Sequence, residues 1–286
     1  MLQHFAGIDH VVVSVRDLDA AADTWRRLGF TLSPRGTHSA HMGTGNYTIM
    51  LSPDYFELLS VLVPTPHNKK TSDFLAVREG IDRIALNTTD AEAGAAELAA
   101  HGLAVAAPVA FGRPVELPGG GSAEARFRTI QWPATEKPAG IALFACQHLT
   151  PEAVWIPELM THPNTAQALD RVEVLARDPA GAAAQTGRLL DRKPVPESGG
   201  ALRVPSGSGR ADIVFLTRDT FTARHPGVTL DLLPEEGSAC LSIRVRDYAM
   251  AQQHVAASGL PAVIRPDRLA VLPTAGTGIV VELLPR

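Results

Sequence analysis

The sequence predicts an α+β chain of four βαβββ modules, and three observations carry that prediction. A marked strand position is followed seven residues later by an Asp four times over: His10 to Asp17, Arg83 to Asp90, Arg171 to Asp178 and Cys240 to Asp247. Each Asp opens a helical stretch. In three copies a Gly stands twelve residues further on, at Gly29, Gly102 and Gly259, where the third copy reaches Leu190 and Asp191. An Asp side chain accepts from the free N–H groups of a helix start, and a Gly tolerates the left-handed turn after a helix end. The strand before each Asp alternates apolar and polar residues, the signature of a strand with two different faces. Internal repetition of this kind sets the architecture before any single motif does.

The elements follow in order. In the first module a strand runs through Gly7 to Val15, a helix from Leu18 to Leu28, a strand after Phe30, then strands at Asn46 to Leu51 and Tyr55 to Val63. The second uses Gly80 to Thr88, a helix from Ala91 to His101, then Val105 onward, Ala125 to Trp132 and Gly140 to Cys146. Between its strands, Phe111 to Glu124 is rich in Pro and Gly, with Gly119, Gly120 and Gly121 in a row. This stretch reads as a solvated connection or a lid over a site. Pro151, Pro157 and Pro163 break the segment His148 to Thr165, which is expected to be a linker. The third module covers Leu169 to Thr217 and the fourth Ser238 to Leu284. The expected domains are therefore residues 1–150 and 169–286, joined by 151–168.

Composition excludes several classes of function. With 286 residues, 45% hydrophobic and 20% charged, the chain can bury two modest cores. Lys and Arg number 26 against 30 Asp and Glu, a net charge of −4 without the basic block that would neutralise a phosphate backbone, so nucleic acid is not an expected partner. No apolar run approaches the ~20 residues of a membrane helix, and MLQHFAGIDH lacks the regions of a signal peptide. A cytoplasmic location is expected, with no membrane partner. Cys146 and Cys240 fall in different modules and are expected to be free thiols.

On the first strands, Val11, Val13 and Val15, Ile84 and Leu86, Val172 and Val174, and Leu241, Ile243 and Val245 make one face, expected to lie under the helices. The opposite face carries His10, Arg83, Arg171 and Cys240, with Asn87 and Glu173 further along, so chemistry gathers where these strands begin. A strand, a helix and three strands form the module of the vicinal oxygen chelate superfamily, and this chain resembles four such modules. Gly7-Ile8-Asp9-His10, the helix ending at Leu28-Gly29-Phe30, Gly43-Thr44-Gly45-Asn46 and Tyr55-Phe56-Glu57-Leu58 resemble its glyoxalase-like branch. So do Gln147-His148-Leu149-Thr150-Pro151-Glu152, Trp155 and His162-Pro163-Asn164. The resemblance implies two glyoxalase/bleomycin-resistance-like domains, each with a curved mixed sheet around a cavity.

It also implies a site. In metal-dependent members, His and Glu from first and last strands hold an ion that a substrate chelates. His10 matches the first-strand ligand and Glu57 the last-strand carboxylate of the first module. The matching residue of the second module is Arg83, whose guanidinium cannot ligate, and its last strand, Ile141 to Cys146, has no carboxylate. His148 lies on the same alternation as Phe144 and Cys146 and is the candidate third ligand; His38 and His41 are weaker ones. His10, Glu57 and His148 would suffice for one divalent ion, Ni, Zn, Mn or Fe. Without metal, Arg83 either pairs with Glu57 or holds an anionic substrate, beside Asn46, Asn87 and His148, while Glu57 and His10 move protons.

In the second half only Glu282 resembles a ligand, next to Arg171 and Cys240, and its histidines are His225 and His254, the latter within a helix. Ring cleavage is not expected there. Gly43-Thr44-Gly45 and Gly276-Thr277-Gly278 precede strands rather than helices, which excludes a nucleotide cofactor bound in the Gly-rich manner. The expected function is a lyase or isomerase acting by proton transfer next to a carbonyl of a small oxygen-rich metabolite. The alternative is metal-free sequestration of a small molecule, of the bleomycin-resistance type. Two module pairs in one chain make a monomer sufficient, and a homodimer is equally compatible.

Overall fold

The structure is a computed structural model and describes residues 2–286. The first half contains β1 (Phe5–Ser14), α1 (Leu18–Arg27), β2 (Gly36–Thr37), β3 (Thr44–Met50), β4 (Tyr55–Val61), α2 (Lys69–Val77), β5 (Gly80–Thr88), α3 (Ala91–Ala100), β6 (Val109–Glu116), β7 (Ser122–Gln131) and β8 (Ala142–His148). The second contains β9 (Ala166–Leu175), α4 (Pro179–Leu190), β10 (Val195–Pro196), β11 (Leu202–Val204), β12 (Asp212–Leu216), α5 (Arg218–Arg224), β13 (Gly237–Val245), α6 (Tyr248–Ser258), β14 (Ala262–Ile264), β15 (Leu269–Val271) and β16 (Val280–Pro285).

Two eight-stranded mixed sheets result, with the same order. The first is β2-β3-β4-β1-β5-β8-β7-β6 and the second β10-β11-β12-β9-β13-β16-β15-β14. In each, the first strands of the two modules pair antiparallel at the centre, and each first strand pairs parallel with the last strand of its own module. This is an α+β fold of two glyoxalase-like domains.

The repeated punctuation does what the sequence predicts. Asp17 accepts from the N–H of Ala20, Asp90 from Glu92 and Ala93, Asp178 from Gly181 and Asp247 from Met250. Gly29, Gly102 and Gly259 have φ of 85°, 80° and 66°, and Asp191 takes the same left-handed conformation at φ 51°. Asp is one of the few side chains that visits this region at small cost, which is how the third module dispenses with Gly.

The face of the first strands assigned to the helices packs there. Val11, Val13, Ile84, Leu86, Val172, Val174, Leu241 and Ile243 join Trp25, Leu98, Leu189 and Val255 of the helices in one core that runs through both halves. Backbone bonds tie the halves together, from Ser52 N–H to the Gln167 carbonyl and from Ile8 N–H to Ser206 Oγ, both 2.9 Å.

Two expectations change. Phe111 to Glu124 is not a loop: β6 and β7 make a hairpin in continuous register, with Arg113 opposite Ala125. Alternation wins over the Pro and Gly content, because Arg113, Val115, Ala125 and Phe127 turn inward together. The segment after His148 is more than a tether. Ala153, Val154, Ile156 and Leu159 pack with Met50, Tyr55, Val115 and Phe127, closing the concave side of the first sheet between its prolines.

The concave side of the second sheet is filled from within. Phe221 of α5 is fully buried among Leu175, Val214, Leu216, Cys240 and Val280. His225, at the end of α5, lies tilted against Phe221 with ring centroids 4.3 Å apart. Cys146 and Cys240 are buried free thiols. Among the described residues no helix is long and apolar enough to cross a membrane.

Candidate functional site

The parallel pairing of β1 and β4 sets Val12 opposite Glu57 and His10 opposite Tyr55. With Val11 and Val13 under the helices, His10 and Val12 face the concave side, where they line a half-open cavity of about 150 Å³. Asn46, Glu57, Arg83, His38 and Arg113 share that wall with Phe111, Phe127 and Phe144. A larger, open cleft of about 500 Å³ lies where the halves meet, lined by Ser52, His162, Gln167, Arg244 and Arg246. It has no carboxylate in its wall, so the acid–base set belongs to the smaller cavity.

Register also shows what the second module contributes. Arg83 occupies the position of His10, and Phe144, opposite Ala85, occupies the position of Glu57. In the fourth module the corresponding residue, opposite Ser242, is Glu282.

His10 is held from behind by Asp9, a residue the sequence reading passed over. Asp9 is fully buried, and its Oδ2 accepts from His10 Nδ1 at 2.7 Å and from His148 Nε2 at 2.8 Å. Its Oδ1 accepts from Asn87 Nδ2 at 2.9 Å. Burial alone would push this carboxyl up, but the hydrogen bonds from the two histidines outweigh it and hold Asp9 far below the usual carboxylate range. Three expected site residues, His10, Asn87 and His148, therefore converge on one buried anion. With Nδ1 bonded to Asp9, the remaining nitrogen of His10 is Nε2; the ring stacks on Tyr55 with centroids 4.4 Å apart. His148 sits in an aromatic box with Trp155, Phe127 and Tyr55, its Nδ1 buried and unpartnered.

The signal for Asp9 was in the repeats. An Asp precedes the marked position in three of the four modules and binds it each time: Asp9 to His10, Asp82 to Arg83 and Asp170 to Arg171.

Glu57 and Arg83 line the same cavity without pairing. Glu57 Oε1 accepts from Asn46 Nδ2 at 2.6 Å. Arg83 spends its guanidinium on Asp82, at 3.0 and 2.7 Å, and on Thr71 Oγ1 at 2.6 Å. The Asp82 carboxylate presents both oxygens to the fork, a geometry a single Glu57 oxygen shared with Asn46 does not offer. Two bystanders are set by the same surroundings. Burial lowers His38, with Glu57 opposing and Arg113 reinforcing the shift; burial, then Asp9 and Glu57, push the Cys146 thiol well up.

A family model for the glyoxalase-like domain matches residues 8–190, from β1 to the last residue of α4. The chain belongs to the glyoxalase-like domain family. Its fold is that of the vicinal oxygen chelate superfamily. Among curated proteins, no sequence matches. Among solved structures, a hypothetical protein from Staphylococcus aureus is similar with a TM-score of 0.68 and 12% identity, over 98% of this chain and 99% of that one. A triple mutant of 4-hydroxymandelate synthase from Streptomyces coelicolor has a TM-score of 0.59 and 15% identity over 99% and 93%. An Mn(II)-bound glyoxalase from Novosphingobium aromaticivorans has 0.57 and 13% over 99% and 82%. At these identities the likeness shows the fold.

The donor set of this glyoxalase-like protein can be tested against a metal. Among the described residues, two groups have ligand atoms within 4.8 Å of one another: Asp9, Cys146 and His148, and Glu173, His225 and Cys240. His10 and Glu57 belong to neither. In the first group Asp9 is already saturated by three donors, and the thiol is held protonated by burial and nearby carboxylates. In the second, Glu173 is taken by Arg224 at 2.8 Å and His225 at 2.6 Å, and the Cys240 thiol is raised likewise. A divalent ion in either group would have to displace these hydrogen bonds and release the thiol proton. Around His10 and Glu57 it would also face two permanent cations, Arg83 and Arg113. As arranged, these residues do not fit a resident dication, and no chemical step is derived through one.

Proposed function

We propose that this protein is a lyase or isomerase of the glyoxalase-like family that moves a proton on carbon next to a carbonyl, in the cavity of its first domain. The observation that carries the reading is the placing of His10 and Glu57 on the wall of one cavity, with His10 backed by the buried Asp9. Glu57 takes the proton from the carbon beside the carbonyl, and the bonding pair moves onto the carbonyl oxygen. His10 supplies a proton to that oxygen. Asp9 orients the ring and stabilises the positive charge it carries, as the buried acid of a catalytic triad does. Return of the proton to the neighbouring carbon gives an isomer; expulsion of a leaving group gives a lyase product. Asn46 holds Glu57 in place, and Asn87 and His148 hold Asp9.

The test is solvent deuterium exchange, followed by proton NMR, into a panel of small 2-oxo and 2-hydroxy compounds. Glu57→Gln is expected to abolish exchange while keeping the thermal midpoint of the parent. Unchanged exchange removes Glu57 from the mechanism. A second reading, sequestration of a small molecule without chemistry, is favoured by the occupied donor sets and the cationic wall. Under it, a cavity ligand is recovered unaltered after prolonged incubation.

A further inference from the structure

Among the described residues, the one buried arginine lacks the partners that the half-buried arginines have. Arg83 is bound to Asp82, Arg171 to Asp170, Arg224 to Glu173 and Glu197, and Arg210 to backbone carbonyls. Arg113 is only 9% exposed, yet among the described residues its guanidinium makes no hydrogen bond and no ion pair. It projects from the β6–β7 hairpin opposite Ala125, whose small, fully buried side chain leaves it room. Gly36 leaves it room on the other side, since a Cβ there would come within 3.1 Å of Arg113 NH1. Glu57, on the same wall, is bonded to Asn46 instead. A guanidinium that faces a cavity with none of its N–H groups bonded to the protein is free to receive an anion.

We propose that Arg113 is the anchor for the anionic group of the ligand, so that this site takes a small organic anion. A guanidinium fork receives a carboxylate or a phosphate through two parallel hydrogen bonds. Arg113 borders the reaction cavity and also a neighbouring one of about 190 Å³, together with Thr48 and Val154, so the anion sits at the passage between the two. The rest of the ligand enters the 150 Å³ cavity, among Phe111, Phe127 and Phe144, beside Glu57 and His10. A cavity of about this volume holds a benzene-sized group. The proposal rests on the reading of this cavity as the reaction site and adds the class of substrate.

The experiment is calorimetric titration of the full chain with benzoate, phenyl phosphate and neutral benzamide. At least one anion is expected to bind more tightly than benzamide, and which one identifies the group. Arg113→Gln is expected to weaken that anion by about tenfold or more, the worth of a charge-assisted pair, and to leave benzamide unchanged. Arg113→Lys keeps the charge without the fork and is expected to fall between. Anion affinity unchanged in Arg113→Gln, or no preference for either anion over benzamide, overturns the proposal. Glu57→Gln separates the two readings. Lost exchange with anion affinity retained supports both. An anion-specific site without exchange in any variant keeps the anchor and removes the enzyme, and exchange without anion preference does the reverse.

Discussion

Asp9 does for the site what no surface residue can. It is buried, ionised and surrounded by three donors, so replacing it leaves His10, His148 and Asn87 without their acceptor. Asp9→Asn is expected to cost about 3 kcal/mol at pH 7, the scale of breaking a buried charged network, measured by urea unfolding. The sign of its pH dependence is fixed. The folded-state value lies below the ordinary 3.8, so the folded protein binds fewer protons than the unfolded chain. The stabilisation is complete above the ordinary value and is lost as the pH falls through and below it. The gap between parent and Asp9→Asn should therefore narrow from pH 5 to pH 3; a constant gap would show that Asp9 titrates alike in both states. At this scale strand alternation named His10, Asn87 and His148, and the family resemblance named Glu57 and Asn46. His10, Glu57 and Asn46 line the cavity, while Asn87 and His148 meet at Asp9. Alternation could not show that Asp9, a residue off the face of His10 by parity, reaches His148 across the sheet. Arg113 was hidden for a different reason: it stood in a stretch whose Pro and Gly content argued for a loop.

Elements marked by local chemistry were legible, and elements made by packing were not. The four capping Asp residues and the left-handed glycines after α1, α3 and α6 are read directly from the repeats, whereas the left-handed Asp191 after α4 is seen only in the structure. The β6–β7 hairpin was missed because two prolines and four glycines outweighed its alternation of inward Arg113 and Val115. Helix α5 lies between two modules, where α2 lies in the first half, and the βαβββ pattern announces neither; α5 decides the fate of the second domain. Its Phe221 fills the concave side that the first domain leaves open. Glu173 and Glu282 are used there as internal anions. Burial raises Glu282, whereas Glu173, also raised by burial, is brought below its ordinary value by His225 and Arg224. Phe221→Ala is expected to destabilise the protein by about 4 kcal/mol, as aromatic truncations in a packed core do. Chemical unfolding measures it, and a loss within the roughly 0.5 kcal/mol of a surface change would mean that α5 does not plug the sheet.

At the scale of the whole molecule the sequence announced two sheets and said nothing of how they meet, because interfaces between modules carry no period. The core that joins them is continuous through the helices. The polar part of the junction centres on Asp54, one residue before the Tyr55 that stacks on His10. Asp54 Oδ1 accepts from the N–H of Leu169 in β9 at 2.9 Å, and its Oδ2 is buried without a partner. Burial raises this carboxyl from 3.8 to about 7, with Asp9 adding to the shift and the Leu169 N–H and Arg210 opposing it. The sign is opposite to that of Asp9. Folded protein keeps a proton that the unfolded chain releases near pH 4, so stability falls as the pH rises from about 4 to about 7. A shift of this size corresponds to roughly 4 kcal/mol as an upper bound. Asp54→Asn retains an oxygen for Leu169 and cannot ionise. It is expected to gain on the parent across that window, to hold the gain above pH 7 and to show none at pH 4. Urea unfolding of both proteins from pH 4 to pH 8 checks this, and parallel stability curves would mean that the Asp54 carboxyl ionises in the folded junction as readily as in water.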